Sequence, residues 1–85
     1  MRSFVYTVKD AHGLHARPAG MLVRFVQSLG DEVSIVKGEQ RVGGTRLLAL
    51  MGLGIRCGDT VTVEITGTNE EASERSLREF FEKNL

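Results

Sequence analysis

Two histidines, an arginine and the only proline of the chain lie close together in the segment HGLHARPAG, residues 12–20. A proline in the first turn of a helix costs no hydrogen bond, so Pro18 indicates a helix that begins near Ala16. The backbone N–H groups of Ala16 and Arg17 would then lie unpaired at a helix N-terminus, which favours anions. Arg17 adds a planar guanidinium that can bind two oxygens of a phosphoryl group. The segment therefore predicts an anion site.

His15 immediately precedes this helix and provides an imidazole that is largely neutral near pH 7. A positive helix end favours the unprotonated, nucleophilic form. The P–N bond of a phosphohistidine is weak, so a phosphoryl group on His15 could move on to an acceptor. Elsewhere the chain shows no general base, metal-ligand cluster or glycine-rich phosphate loop, and we expect no metal and no cofactor. The pattern predicts a phosphoryl carrier that depends on its partners for catalysis, with non-covalent anion binding as the alternative.

Two other residues, His12 and Cys57, have chemically reactive side chains. His12 is separated from the helix start by Gly13 and Leu14, so we interpret it as loop surface and not as the phosphoacceptor. Cys57 is the only cysteine, and we expect a partly buried apolar residue in a reducing compartment. No apolar run reaches the roughly 20 residues of a membrane span, and the N-terminus does not resemble a signal peptide. These observations predict a cytoplasmic protein without membrane insertion.

The charges balance overall but not along the chain. A net charge of zero argues against sequence-independent nucleic-acid binding. Residues 1–46 hold seven basic and four acidic side chains (7 − 4 = +3), and residues 47–85 hold four and seven (4 − 7 = −3). This asymmetry favours a mildly positive surface near the anion site, suited to an acidic partner. Alternatively, it reflects only an acidic, solvated C-terminal helix.

The apolar spacing predicts four strands and three helices in the order β-α-β-β-α-β-α. Alternation marks the strands, and a 3.6-residue period marks the helices. We expect the first helix to stop at Gly30, a hairpin turn at Gly38, and a capping box at Thr68–Glu71 before the last helix. Strands with one apolar face need a cover, so we predict an α+β fold in which helices cover one face of an antiparallel sheet. Residues 1–85 would form one domain.

The segment GLHARPAG resembles the active-site sequence of the HPr family, the histidine-containing phosphocarriers of the bacterial phosphoenolpyruvate-dependent sugar phosphotransferase system. Chain length, element order and the segment LLALMGLGI are also similar to that family. The resemblance implies an open-faced β-sandwich, with four antiparallel strands and three helices on one side. It also implies that His15 accepts phosphate at Nδ1 from phosphorylated enzyme I and donates it to a histidine of a sugar-specific IIA domain. Arg17 would stabilise the phosphate.

The resemblance further implies a docking surface for both partners on the first two helices. Helical spacing assigns Leu50 and Leu53 to the core and puts neighbouring leucines on different faces. We expect a monomer, because a shuttle must expose one site to successive partners. The predicted docking residues are Gly20, Met21, Arg24, Arg46, Leu47, Leu48 and Met51.

Two positions depart from the family pattern. Arg46 stands where many low-GC Gram-positive members have a serine that a dedicated kinase phosphorylates, and Thr45 is a poor substitute. We therefore predict that this regulatory switch is missing and that the charge of Arg46 favours acidic partner surfaces. His12 stands where members commonly have a small polar residue. Nothing in the sequence separates general sugar uptake from a related nitrogen-type, fructose or dihydroxyacetone kinase circuit.

Overall fold

Four strands and three helices follow one another in the predicted order in the computed structural model, which describes all residues from Met1 to Leu85. The elements are β1 (Arg2–Thr7), α1 (Ala16–Ser28), β2 (Glu32–Lys37), β3 (Gln40–Gly43), α2 (Leu47–Gly52), β4 (Thr60–Thr66) and α3 (Glu70–Asn84).

The strands form a single antiparallel sheet in the order β1-β4-β2-β3. Alternate residues of the strands are buried under the helices, and the opposite face is open, where Val5 is 63% exposed. Phe81 of α3 lies edge-on to Phe4 and Tyr6 of β1, and Phe80 of α3 stacks on Phe25 of α1. The predicted α+β fold, an open antiparallel sheet with three helices, is confirmed.

The β2–β3 hairpin turns at Gly38, as predicted. Lys37 pairs with Gln40, so the loop contains only Gly38 and Glu39. Gly38 has a φ of +60°, a conformation that glycine adopts without the steric cost of a side chain. A glycine at the first position of a two-residue loop suits the twist of a hairpin.

The helix ends differ from their predictions. α1 ends at Ser28, and the chain leaves through Leu29 in an extended conformation (φ −84°, ψ 148°). Gly30 does not adopt a positive φ, so it does not form the predicted glycine cap. The strand β2 begins two residues later, and an extended exit carries the chain directly into it.

The predicted capping box at Thr68–Glu71 is wrong, because α3 begins one residue later with Asn69 as its N-cap. Glu70 accepts a hydrogen bond from the N–H of Gly67 (2.9 Å). The buried carboxylate of Asp31 accepts hydrogen bonds from the Asn69 N–H (3.2 Å) and the Ser73 hydroxyl (2.9 Å). A residue from the α1–β2 connection therefore supplies part of the cap.

Cys57 is exposed, which corrects the prediction of a partly buried residue. It lies in the connection between α2 and β4, and its Sγ is 3.5 Å from the carbonyl oxygen of Lys9. Leu53 and Ile55, which precede it in this connection, are buried and contribute the apolar side chains of this segment to the core. None of the three helices is both long enough and apolar enough to span a bilayer.

Candidate functional site

His15 is the N-cap residue of α1 and its side chain is exposed. The backbone is extended there (φ −91°, ψ −175°), and the carbonyl oxygen accepts a hydrogen bond from the Ala19 N–H at 3.0 Å. The imidazole makes no capping hydrogen bond to the helix. The exposed ring therefore has no hydrogen-bond partner at the start of the helix.

The first turn of α1 contains no group that pairs with its positive end. The N–H groups of Ala16 and Arg17 donate no hydrogen bond within the chain, and Pro18 has no N–H to satisfy. No acidic residue lies in this turn, and the exposed Arg17 guanidinium forms no ion pair. His15 and Arg17 line the same surface depression, together with Pro18 and Met21 of α1, Asp10 of the preceding loop, and Lys83 and Asn84 of α3. The arrangement provides two backbone donors, the cations of Arg17 and Lys83, and an imidazole to one anion.

The loop that precedes His15 is fixed from two sides. The N–H groups of Lys9 and Asp10 donate to the Leu85 oxygen at 2.6 and 2.8 Å. The N–H of the buried Leu14 donates to the carbonyl oxygen of Ile55 at 3.1 Å. Both the C-terminal residue and the α2–β4 connection thus position the start of α1.

Gly13 permits this close approach. Its φ is +64°, and a Cβ atom built there would overlap the carbonyl oxygen of Ile55 and lie 2.7 Å from the Cα of Arg56. A left-handed conformation and a backbone contact at the same position both require glycine. The requirement explains a glycine two residues before the predicted phosphoacceptor.

His12 lies on the loop surface, as predicted, with 82% of its side chain exposed. Its ring meets the ring of His15 edge-on, with centroids 5.6 Å apart. Its backbone N–H donates to Asp10 Oδ1 at 2.8 Å, and its Nδ1 lies 3.8 Å from the same oxygen. The sequence predictions missed the convergence of these three side chains, although the spacing D-x-H-x-x-H was a usable signal.

The predicted docking residues divide between two helices that pack against each other, α1 and α2. On α2, Leu48 is 83% exposed, and Leu47 and Met51 are each 40% exposed. Leu50 and Leu53 are buried in the core, as predicted from their spacing. The short helix thus carries an exposed apolar patch, defined as Leu47, Leu48 and Met51.

The other predicted docking residues differ in their exposure. Arg46 is the N-cap residue of α2 and is exposed. Arg24 of α1 is exposed, whereas Gly20 and Met21 are half-buried. Met21 is the member of this group that lines the same depression as His15.

Lys37 and Asp59 support the end of α2 and were missed by the sequence predictions. Lys37 Nζ donates to the carbonyl oxygens of Leu53 (3.2 Å) and Gly54 (3.0 Å) and pairs with Asp59 (3.1 Å). The N–H of Arg56 and the ammonium of Lys37 hold the pKa of Asp59 below its usual value. These contacts secure the connection against which Gly13 packs, and no sequence pattern links residues so far apart.

Comparisons with known proteins agree with this arrangement. A family described as "PTS HPr component phosphorylation site" matches residues 2–83. The phosphocarrier protein HPr of Mycoplasma genitalium is 33% identical over 85 residues, which cover 99% of this chain and 97% of that protein.

Solved structures show the same fold. The crystal structure of HPr from Thermoanaerobacter tengcongensis superimposes with a TM-score of 0.92 at 26% identity, covering 99% of this chain and 94% of that one. A crystal structure of an HPr dimer from the same organism has a TM-score of 0.75 at 26% identity, covering 98% and 95%. With a family match over almost the whole length, a relative of similar length and a shared fold, the chain belongs to the HPr family of phosphocarrier proteins.

Proposed function

We propose that this protein accepts a phosphoryl group on His15 from phosphorylated enzyme I and passes it to a histidine of a sugar-specific IIA domain. The observation that carries the proposal is the exposed, unpartnered imidazole of His15 at the N-terminus of α1. The free N–H groups of Ala16 and Arg17 lie at the same helix end. Membership of the family supports the carrier role itself.

The transfer needs no general base on this chain. A neutral imidazole has a lone pair on one ring nitrogen and a proton on the other. The lone pair forms the new P–N bond while the bond between phosphorus and the donor breaks and its electron pair returns to the donor. Passing the group on reverses these events with the IIA histidine as nucleophile. Because the His15 ring has no intramolecular partner, it can attack phosphorus and later release the phosphoryl group without first breaking a hydrogen bond.

The charge on the transferred group is stabilised by groups already in place. Negative charge spreads over the three phosphoryl oxygens during transfer. The N–H groups of Ala16 and Arg17 and the Arg17 guanidinium can meet these oxygens without breaking any existing contact. All of them are solvent-exposed, so their hold on the phosphoryl group is modest and the group can leave.

The apolar patch Leu47, Leu48 and Met51 is proposed as the docking surface for both partners. A small exposed apolar patch beside a charged site suits a transient encounter. Gly20, Met21 and Arg24 of the adjoining helix and Arg46 would extend this surface, and the two arginines favour acidic partners. We propose a monomer as the working form, although a neighbour in the family crystallised as a dimer. Because position 46 is arginine, the serine-kinase switch of other members would be missing.

The test is phosphorylation followed by intact mass. The protein is incubated with phosphoenolpyruvate and enzyme I, and we expect a gain of one acid-labile phosphoryl group. His15→Ala should abolish the gain, and His12→Asn serves as the matched control that should keep it. A gain that survives His15→Ala would move the phosphoacceptor elsewhere. Phosphate binding without any covalent gain would instead support the anion-binding alternative.

The circuit is tested by transfer from the phosphorylated protein to a panel of acceptors. We expect the fastest transfer to sugar-specific IIA domains. Faster transfer to nitrogen-type, fructose or dihydroxyacetone kinase components would assign the protein to one of those circuits and contradict the sugar-uptake proposal.

A further inference from the structure

We propose that Asp10, His12 and His15 form a binding site for a divalent transition-metal ion of the zinc class. We further infer that the bound ion makes His15 unavailable to a phosphoryl group. The binding site stands on the geometry alone, whereas the inhibitory consequence rests on the proposed function.

The three side chains are placed as metal ligands would be. One ligand atom from each lies within 4.8 Å of the ligand atoms of the other two. Around a tetrahedral zinc ion with bonds near 2.1 Å, neighbouring ligand atoms lie about 3.4 Å apart. Ligand atoms that start 4.8 Å apart thus need to approach each other by about 1.4 Å (4.8 − 3.4). Neither imidazole is held by a hydrogen bond, so rotation of two exposed rings can supply this movement.

Asp10 is the fixed member of the group. Its N–H donates to Leu85 at 2.8 Å, and its carbonyl oxygen accepts the Gly13 N–H at 3.0 Å. Its Oδ1 accepts the His12 N–H at 2.8 Å, which holds the carboxylate toward the histidine side of the loop. Only a third of the Asp10 side chain is exposed. An oriented carboxylate lowers the cost of assembling the site.

The donor set indicates which ions fit. Two imidazole nitrogens and one carboxylate oxygen suit zinc and its neighbours in the first transition row. Magnesium and calcium prefer oxygen ligands throughout and are disfavoured. Three protein ligands leave a fourth position for water. The Arg17 charge and the positive end of α1 oppose a cation, so the affinity is lower than the same ligands would give elsewhere.

Metal binding and phosphorylation compete for the same electrons. A neutral imidazole has a single free lone pair, and the second ring nitrogen carries the proton. Coordination through either nitrogen of His15 uses that lone pair. The coordinated ring cannot attack phosphorus until the ion leaves.

His12 is the residue that makes the group a metal site. Without His12 only two ligands remain, Asp10 and His15, and His15 is also the proposed phosphoacceptor. Removing an outer-shell partner of a metal typically costs about 10- to 100-fold in affinity, so removing a ligand should cost at least tenfold.

The binding test is isothermal titration of zinc chloride into the full chain. We expect one ion per chain, with at least tenfold weaker binding for His12→Asn and for Asp10→Asn, which keeps an oxygen to accept the His12 N–H. Glu39→Gln, at the exposed β2–β3 turn, is the matched control and should bind as the original does. Equal affinity in His12→Asn and the original, with both shown to be folded by circular dichroism, would overturn the site.

The inhibition test repeats phosphoryl uptake with and without zinc. Uptake by the original protein should slow as the site fills, and uptake by His12→Asn should not slow at the same zinc concentration. Equal slowing of both would mean that zinc acts on enzyme I and would overturn the inhibitory inference. Absence of uptake in zinc-free conditions would overturn the proposed function instead, and the calorimetric result would still decide the binding site.

Discussion

Replacing Gly13 with alanine should destabilise the protein and slow phosphoryl uptake, for two separable reasons. The residue has a φ of +64°, and a left-handed conformation costs an alanine about 1–2 kcal/mol. Its Cβ would also overlap the Ile55 carbonyl oxygen and lie 2.7 Å from the Arg56 Cα. Overpacking of this kind costs about 1–3 kcal/mol. Together the two effects predict a loss of about 2–5 kcal/mol.

Gly38 provides a matched control for the conformational part of this cost. Its φ is +60°, almost the same as that of Gly13, but a Cβ there has no atom within 4 Å. Gly38→Ala should therefore lose only about 1–2 kcal/mol. The difference between the two variants measures the contact of the loop with the α2–β4 connection.

The assay is urea unfolding of both variants and the original, followed by phosphoryl uptake under conditions where each is folded. Gly13→Ala should take up the phosphoryl group more slowly, because relieving the overlap moves the loop that ends at His15, whose N–H donates to the Gly13 carbonyl. Gly38→Ala should keep the original rate. Equal losses of unfolding free energy in the two variants would refute the claim that the loop is seated on Ile55 and Arg56.

Three other changes test the site and its supports. Arg17→Ala should slow phosphoryl uptake by about tenfold or more while changing the unfolding free energy by less than about 0.5 kcal/mol, since the side chain is exposed; a collapse of stability in urea would make Arg17 structural. Leu48→Asp should raise the apparent KM of enzyme I for the carrier and leave kcat unchanged, because it removes docking without touching His15; an unchanged KM would exclude the patch. Hydrogen bonds from Arg2 and Arg78 lower the pKa of Glu74, so its ionised form stabilises the fold above the usual carboxyl pKa, and this stabilisation disappears as the pH falls through the lowered pKa. Thermal melts of Glu74→Gln should accordingly fall below the original at pH 7 and coincide with it in strong acid, and a difference that persists in acid would contradict this reasoning.

The regular elements were predictable because their signals are local. Alternation placed β1 and β4, and the 3.6-residue period placed α1 and the face of α2 that holds Leu50. The helix ends were less predictable, because their hydrogen bonds come from distant residues. Asp31 accepts hydrogen bonds from Asn69 and Ser73, which lie 38 and 42 positions further along the chain. Nothing in the segment Thr68–Glu71 indicates that a distant carboxylate helps to cap this helix.

In the candidate site, too, the contacts between sequence neighbours were predictable and the long-range contacts were not. His15, Ala16, Arg17 and Pro18 are contiguous, so helix geometry alone brought the imidazole to the free N–H groups. The approach of Asp10 and His12 to His15 depends on the path of the loop. That path is set by hydrogen bonds to Leu85 and Ile55, both of which are distant in the sequence. The exposure of Cys57 was misjudged for a related reason, since residue type does not show which apolar neighbours already fill the core.

One property of His15 underlies both proposals. The loop around it is held by backbone hydrogen bonds, so its position is fixed when the chain folds, but the ring itself has no partner to displace. Asp10 lines the same depression as His15 and Arg17, so a phosphoryl group and a metal ion on His15 would both meet the Arg17 guanidinium and the Asp10 carboxylate. The guanidinium favours the phosphoryl group and the carboxylate favours the metal ion, while the two occupants compete for one lone pair. Because Asp10 contributes the only negative charge of the three ligands, removing this carboxylate should shift the balance between the metal-bound and carrier forms toward the carrier form.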